Sequence, residues 1–293
     1  MIDNSSRAGP ATLIGFGAVA LWSALALMTA ASGALPPFEL AAITFAIGGT
    51  LGLAYAAARG RLGALAQPAL VWAVGVGGLF GYHALYFAAL RLAPPAEASL
   101  VAYLWPLLIV LMSSALPGER LRARHVIGAI LGFGGAAELF AARGGGAGFT
   151  SLSRETWIGY ALALGCAFVW SSYSVLSRFL KSAPTEAVAG FCLVTSALAA
   201  LCHLAFERTL WPDTPGQVAA IVGLGLGPVG LAFYVWDYGV KHGDIKLLGV
   251  ASYAAPVLST LILVAAGFAP ASPALVAACA LIAGGALVAS RRA

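Results

Sequence analysis

Charged side chains are scarce in this chain. Only 9% of its 293 residues are Asp, Glu, Lys or Arg, whereas 61% are hydrophobic. In a soluble globular domain roughly a quarter of the residues are charged. The mean hydropathy of this chain is +0.92. The composition therefore excludes an ordinary soluble protein. It predicts an integral membrane protein whose apolar surface is largely covered by lipid.

Patterns typical of catalysis or metal binding are also missing. The sequence has no zinc signature, phosphate-binding loop or nucleophile elbow. The run Gly225-Leu-Gly227-Pro-Val-Gly230 matches a dinucleotide pattern, but it follows no strand, so we interpret it as helix packing. The four cysteines lie in apolar segments and lack metal-ligand spacing: Cys166, Cys192, Cys202 and Cys279. We expect a protein that is not an enzyme and uses no metal or cofactor.

The positive charge does not form a nucleic-acid-binding face. The formal net charge is +5, but the sixteen Lys and Arg residues are scattered in short clusters between apolar runs. We therefore predict no nucleic-acid partner. The basic clusters are better explained as topology signals in the lipid bilayer.

Ten apolar runs are separated by charged or Pro- and Gly-rich breaks, and each is near the 20 residues that a bilayer crossing takes. They cover roughly 10–32, 38–58, 68–90, 96–116, 124–142, 156–178, 185–206, 216–240, 246–268 and 272–290. An even number of spans places both termini on one side. If that side is the cytoplasm, only four of the sixteen basic residues lie outside: Arg91, Arg143, Arg154 and Arg208. The positive-inside rule thus predicts a bacterial inner-membrane protein with both termini cytoplasmic.

The two halves repeat each other at an offset near 150 residues. Tyr103-Leu-Trp-Pro106 returns as Tyr253-Ala-Ala-Pro256, and a Gly-Gly pair also returns at this offset. Because five spans is an odd number, the second half enters the membrane from the opposite side. The sequence predicts an all-α protein of ten transmembrane helices in two inverted five-helix repeats. The expected organisation is a first repeat, a connecting loop and a second repeat at 1–143, 144–155 and 156–293.

Motifs in the fourth and fifth spans carry a family resemblance. Pro106-Leu-Leu-Ile-Val-Leu-Met is followed by Gly118-Glu119-Arg120-Leu121 and a Gly-rich helix that ends in Gly134-Gly135. The second copy departs in having Ala269 where Glu would sit. With these motifs the chain resembles the drug/metabolite transporter superfamily, in its ten-helix EamA-type branch. Its aromatic density is similar to that of the aromatic amino-acid exporters of the YddG type. The resemblance implies helices arranged as a basket around a central cavity.

The third span presents a stripe of polar aromatic side chains. Tyr82 and Tyr86 are four residues apart on one helix face, and His83 lies beside Tyr86. Such a stripe is typical of a cavity wall that stacks an apolar side chain and binds its polar end. Interfacial anchoring or interhelical packing is the alternative.

The eighth span contains Trp236 followed by Asp237. A charge near the bilayer centre costs roughly 3 kcal/mol, so a carboxylate there normally faces a cavity or a partner. Asp237 is therefore a candidate for binding a substrate ammonium or a proton. Lys241, four residues on, offers an ordinary ion pair instead.

Two prolines interrupt the backbone hydrogen bonding of the fourth and ninth spans. Pro106 and Pro256 free carbonyl groups one turn earlier, beside Tyr103 and Tyr253. In transporters such breaks often line the site, and Trp105 is placed to stack a substrate or to face lipid. A packing kink is the alternative.

Tryptophans at matching places in spans one and six, Trp22 and Trp170, are further cavity candidates. The leading hypothesis is a secondary transporter that exports or exchanges amino acids or related metabolites by alternating access. One alternative is a multidrug exporter for lipophilic cations, which needs a membrane carboxylate such as Asp237 or Glu138. The other alternative is a membrane receptor or enzyme that does not transport a solute. Oligomeric state stays open, with a monomer among the alternatives.

Overall fold

The computed structural model describes residues 5–143, 153–265 and 271–291, so most of the predicted connecting loop and Ala269 lie outside the described residues. The α-helices are α1 Ser5–Ser23, α2 Leu25–Ala31, α3 Pro37–Ala58, α4 Ala69–Leu92, α5 Pro95–Ala102, α6 Trp105–Met112, α7 Ala123–Arg143, α8 Arg154–Phe179, α9 Ala187–Phe206, α10 Pro215–Leu226, α11 Ala232–His242, α12 Ile245–Ala251, α13 Ala254–Ala265 and α14 Pro273–Ser290. Short 3₁₀ helices lie at Leu62–Leu65 and Ser113–Ala115, and a π-helix lies at Gly227–Leu231.

These elements form ten membrane spans. Within the described residues, nine helices or helix pairs are long and apolar enough to cross a bilayer. The remaining long helix, α7, has 21 residues and at 1.5 Å per residue extends about 32 Å, enough to span the hydrocarbon core. Spans one, four, eight and nine each consist of two helices, α1–α2, α5–α6, α10–α11 and α12–α13. The prediction of ten spans is confirmed.

Helix pairing shows the inverted repeat directly. Helix α3 packs along α9, and α7 packs along α14, so each of these spans contacts its own repeat equivalent. Helix α4 packs along α8, and α1 packs along α11. Exchanging the two halves converts the α4–α8 pair into the α11–α1 pair. The reason is that spans one and six are equivalent and spans three and eight are equivalent. This exchange is what a two-fold relation between the halves requires, and the odd number of spans in each half places the axis in the membrane plane.

Close approach of these helices depends on glycine. A Cβ atom on Gly285 of α14 would lie 2.5 Å from the carbonyl oxygen of Gly128 in α7. A Cβ atom on Gly48 of α3 would lie 2.6 Å from the Cα of Gly230, at the end of the predicted glycine run. The backbones therefore touch, as small residues allow in membrane helix pairs.

Spans four and nine, which contain Pro106 and Pro256, are interrupted at equivalent places. The chain turns at residues 103–104 between α5 and α6 and at residues 252–253 between α12 and α13. Pro106 is the second residue of α6, where a missing backbone N–H breaks no helical bond. Leu107 donates its backbone N–H to the hydroxyl of Tyr253 at 3.2 Å. A residue at the α12–α13 break thus provides a hydrogen-bond acceptor for the backbone next to the α5–α6 break.

Candidate functional site

A central cavity of about 110 Å³ lies where the interrupted spans meet. Most of its walls are aromatic, and none of the described residues that line it is charged. The lining residues are Trp22, Leu25, Tyr82, His83, Tyr103, Trp105, Trp170, Pro228, Val229, Phe233 and Ala255.

Helix interruptions place many of these side chains. Trp22 and Leu25 flank the junction of α1 and α2, and Pro228 and Val229 belong to the π-helix. Irregular backbone inside a membrane is tolerated where it lines a cavity or finds an internal partner. Here the indole N–H of Trp22 donates to the carbonyl oxygen of Pro228 at 3.1 Å, which joins two of the breaks. Much of the cavity wall is thus built at the points where the helices are interrupted.

Three tryptophans form the densest part of the wall. Trp22 lies edge-on to Trp170 and Trp105, with ring centroids 5.7 and 6.2 Å apart. Trp105 and Trp170 also meet edge-on, at 6.2 Å. Edge-to-face packing is the arrangement that aromatic quadrupoles favour. It fixes the three rings, so they can offer a rigid surface to a planar apolar group.

His83 supplies the cavity with a hydrogen-bond acceptor. Its Nδ1 lies 2.7 Å from the carbonyl oxygen of Leu79. Because a carbonyl only accepts, the ring proton of the neutral imidazole sits on Nδ1, which leaves Nε2 as an acceptor. Phe45 and Tyr82 pack edge-on against the ring at 5.0 and 5.3 Å and fix its orientation.

Both halves contribute to the lining, and about half of it is related by the repeat. Three pairs of repeat-equivalent residues line it: Trp22 and Trp170, His83 and Phe233, Trp105 and Ala255. The other five lining residues have no equivalent in the lining; one of them, Tyr103, lines the cavity whereas its equivalent Tyr253 is 0% exposed. In inverted repeats, equivalent residues lie towards opposite membrane surfaces, so the difference between Tyr103 and Tyr253 distinguishes the two sides of the cavity.

The structure brings six of the ten predicted substrate-binding residues to the cavity: Trp22, Tyr82, His83, Tyr103, Trp105 and Trp170. Four others lie outside its lining. The hydroxyl of Tyr86 hydrogen-bonds to the Ser99 hydroxyl at 2.8 Å. Tyr253 lies in the turn between α12 and α13. Trp236 is fully buried and donates its indole N–H to Ser174 at 3.1 Å. It packs behind Trp22 with centroids 5.1 Å apart and supports the wall from outside.

Asp237 is the fourth predicted residue that lies outside the cavity lining. Its carboxylate lies 2.8 Å from the ammonium of Lys241 and accepts a hydrogen bond of 2.7 Å from the Thr185 hydroxyl. Both charged side chains are almost fully buried, and neither lines the central cavity. Burying an unpaired charge is very costly, so the lysine one turn away is the physical reason for this placement. The ion-pair alternative describes the geometry.

Five cavity residues were not predicted: Leu25, Pro228, Val229, Phe233 and Ala255. Leu25, Pro228 and Val229 carry no sequence signal for a cavity position. Phe233 and Ala255 are the repeat equivalents of His83 and Trp105, so applying the 150-residue offset to the predicted residues would have found both.

An ion-pair network joins segments of both halves at one end of the molecule. Glu119, in the turn before α7, accepts hydrogen bonds from Arg178 at 2.9 Å and from Lys246. Burial raises the pKa of the Glu119 carboxyl, but the charges and hydrogen bonds of Lys246 and Arg178 outweigh it and lower the pKa below its ordinary value. We call these three residues the basic lock, and their end of the molecule the basic side.

Comparisons with known proteins agree with this geometry. The model of the EamA-like transporter family matches residues 9–141 and again 157–291. The aromatic amino acid exporter YddG of Ancylobacter novellus is 61% identical over 281 residues, covering 96% of each chain. YddG of Escherichia coli is 26% identical over 263 residues, covering 85% of this chain and 86% of that protein. A solved crystal structure superposes with a TM-score of 0.91 at 59% identity, covering 97% of this chain and 98% of the other.

Proposed function

Because the chain belongs to the EamA-like transporter family, we propose that it exports aromatic amino acids across the bacterial inner membrane. The observation that carries this proposal is an uncharged, aromatic-walled cavity at the meeting point of the broken spans. Two relatives named as aromatic amino acid exporters support the same substrate class.

The absence of charge from the lining selects among substrates. An amino acid is a zwitterion with no net charge, so a neutral cavity leaves no net charge uncompensated, while the ammonium and carboxylate groups still require hydrogen-bond partners. An exporter that exchanges lipophilic cations for protons needs a carboxylate that both can share, and none lines the cavity within the described residues. Asp237 is already paired with Lys241, and Glu138 is exposed on α7. The multidrug alternative is therefore disfavoured.

The residues suggest how the substrate is held. Trp22, Trp105 and Trp170 stack its ring, and the acceptor Nε2 of His83 binds its ammonium group. The cavity volume of about 110 Å³ is of the same order as the roughly 150 Å³ apolar cavity that holds a benzene ring. The size is thus suited to one aromatic side chain.

The inequality of Tyr103 and Tyr253 supports alternating access. In this state Tyr103 faces the cavity, Tyr253 is buried, and the basic lock is formed. We place the basic side, with both termini, in the cytoplasm because Lys and Arg concentrate there. The state is then closed to the cytoplasm. Rocking of the halves at 1–143 and 156–293 would exchange the roles of the two tyrosines.

Counterflow in proteoliposomes tests the substrate class. Vesicles loaded with unlabelled phenylalanine are expected to accumulate labelled phenylalanine, and tryptophan is expected to compete. Trp170→Ala should weaken the apparent affinity about 3- to 10-fold through lost aromatic contact, whereas Trp211→Ala, at a position 79% exposed, should not. Accumulation of tetraphenylphosphonium but of no amino acid would overturn the proposal.

A further inference from the structure

A second cavity, of about 350 Å³, opens on the basic side beside the lock. Five cations and two carboxylates line it: Arg120, Arg122, Arg124, Arg178 and Lys246, with Glu119 and Asp244. Both carboxylates are occupied, because Glu119 binds the lock cations and Asp244 accepts the backbone N–H groups at the start of α12. Arg120, Arg122 and Arg124 form no ion pair within the described residues. The cavity therefore holds uncompensated positive charge.

His125 gives an independent indication of a ligand. Its side chain lines the same cavity, is 6% exposed, and has an Nδ1 atom without a hydrogen-bond partner. Its Nε2 accepts from the guanidinium of Arg124 at 3.4 Å. A guanidinium only donates, so the ring proton sits on Nδ1. A buried N–H donor without a partner costs free energy, and an acceptor held by the arginines would satisfy it.

The surface beyond the cavity is apolar. Ile127 and Ile130 lie one turn apart on α7 and are 49% and 56% exposed, and Leu121 precedes them at 39%. This surface continues from the arginines along a membrane-spanning helix. The N-terminus of α7, with its positive helix dipole, lies at the same place. An anionic group with acyl chains attached matches both the charged cavity and the apolar surface.

We propose that this cavity binds the phosphate of an anionic phospholipid, with the acyl chains along α7. The arginines and the His125 N–H hold the phosphate oxygens, as basic pockets between membrane helices do for lipid headgroups. The inference does not depend on the transported substrate.

Thermal unfolding of the purified full chain in detergent tests the proposal, with dioctanoyl phosphatidylglycerol, dioctanoyl phosphatidylcholine or inorganic phosphate added. The half-saturating concentration follows from how the midpoint temperature rises with ligand. Phosphatidylglycerol is expected to half-saturate at least tenfold below phosphatidylcholine. Arg122→Gln with Arg124→Gln should raise that concentration about 30-fold, since each arginine near an anionic headgroup contributes roughly a factor of five to the affinity.

The matched control removes two charges elsewhere on the same side, at exposed Arg59 and Arg291. Arg59→Gln with Arg291→Gln should leave phosphatidylglycerol binding within about twofold. Equal loss in both double variants would mean diffuse surface attraction and would overturn the site. Protection by inorganic phosphate without any preference for phosphatidylglycerol would overturn the assignment to a lipid.

Discussion

The guanidinium of Arg178 donates to the carboxylate of Glu119 at 2.9 Å and so joins the two halves of the transporter. Arg178 is in the last turn of α8, in the second half, and Glu119 lies in the turn before α7, in the first. The other arm of the guanidinium donates to the carbonyl oxygens of Val240 and Gly243 at 3.0 and 2.7 Å. One side chain therefore holds three segments together on the basic side.

Removing this guanidinium should loosen the closed end. Arg178→Gln is expected to destabilise the closed state by about 1 to 2 kcal/mol, because the ion pair is partly exposed but belongs to a network. Amide hydrogen exchange in residues 240–246 should rise by about 5- to 30-fold. Arg61→Gln, which breaks an exposed pair with Glu186 on the same side, should leave that segment unchanged. Equal exchange in the two variants would contradict the role given to Arg178.

The lock should be insensitive to pH across the physiological range. The pKa of Glu119 in the folded protein is lowered from its ordinary value of 4.5 by Lys246 and Arg178, against the opposing effect of burial. The carboxylate thus contributes stability above the unfolded pKa and loses it as pH falls through the folded pKa. Exchange in 240–246, corrected for intrinsic rates, should stay constant between pH 5 and 8 and rise only in stronger acid. Glu119→Gln should abolish that rise. An opening with a midpoint above pH 5 would rule out this carboxylate as its cause.

His83 should distinguish substrates by their ammonium group. His83→Phe removes the Nε2 acceptor and introduces the residue found at the repeat-equivalent position, Phe233. A hydrogen bond to a charged group contributes about 1.5 to 3 kcal/mol, so affinity for phenylalanine should fall at least tenfold. Binding of 3-phenylpropionamide, which is uncharged and has no ammonium group, should change little. Equal losses for both ligands would point to altered packing instead.

Neighbouring glycines in α14 provide a matched test of the helix contact. A Cβ atom at Gly285 would meet the carbonyl oxygen of Gly128, whereas at Gly284 it would meet nothing within 4 Å. Gly285→Ala should destabilise the fold by about 1 to 3 kcal/mol through overpacking, seen as a lower thermal midpoint. Gly284→Ala carries the same change in helix propensity and should be neutral or slightly stabilising. If both variants melt alike, the α7–α14 contact is looser than described.

Span number, duplication and inversion could be predicted from the sequence because each depends on a pattern along the chain. Apolar length gave the spans, and the repeated Tyr-x-x-Pro motif placed both helix breaks near their observed positions. Those signals need no knowledge of how the helices are rotated about their axes.

Side-chain direction was beyond the sequence. Tyr82 and Tyr86 share a helix face, yet only Tyr82 lines the cavity, because Tyr86 lies one turn further along α4 and pairs with Ser99. Trp236 likewise does not line the cavity, because it packs behind the three cavity tryptophans. The π-helix, which places Pro228 and Val229, depends on tertiary contact with α3 and leaves no periodic signal.

The central claim is that the two halves alternate in exposing one cavity. It is tested most directly by single-cysteine variants Tyr103→Cys and Tyr253→Cys, with the four native cysteines replaced, labelled by a membrane-impermeant maleimide from each side. We expect the thiol at position 103 to react from the side opposite the lock while the one at 253 is protected. Arg178→Gln should raise labelling at 253 from the basic side by about 5- to 30-fold. Labelling of both positions from the same side, or no change on breaking the lock, would contradict the account.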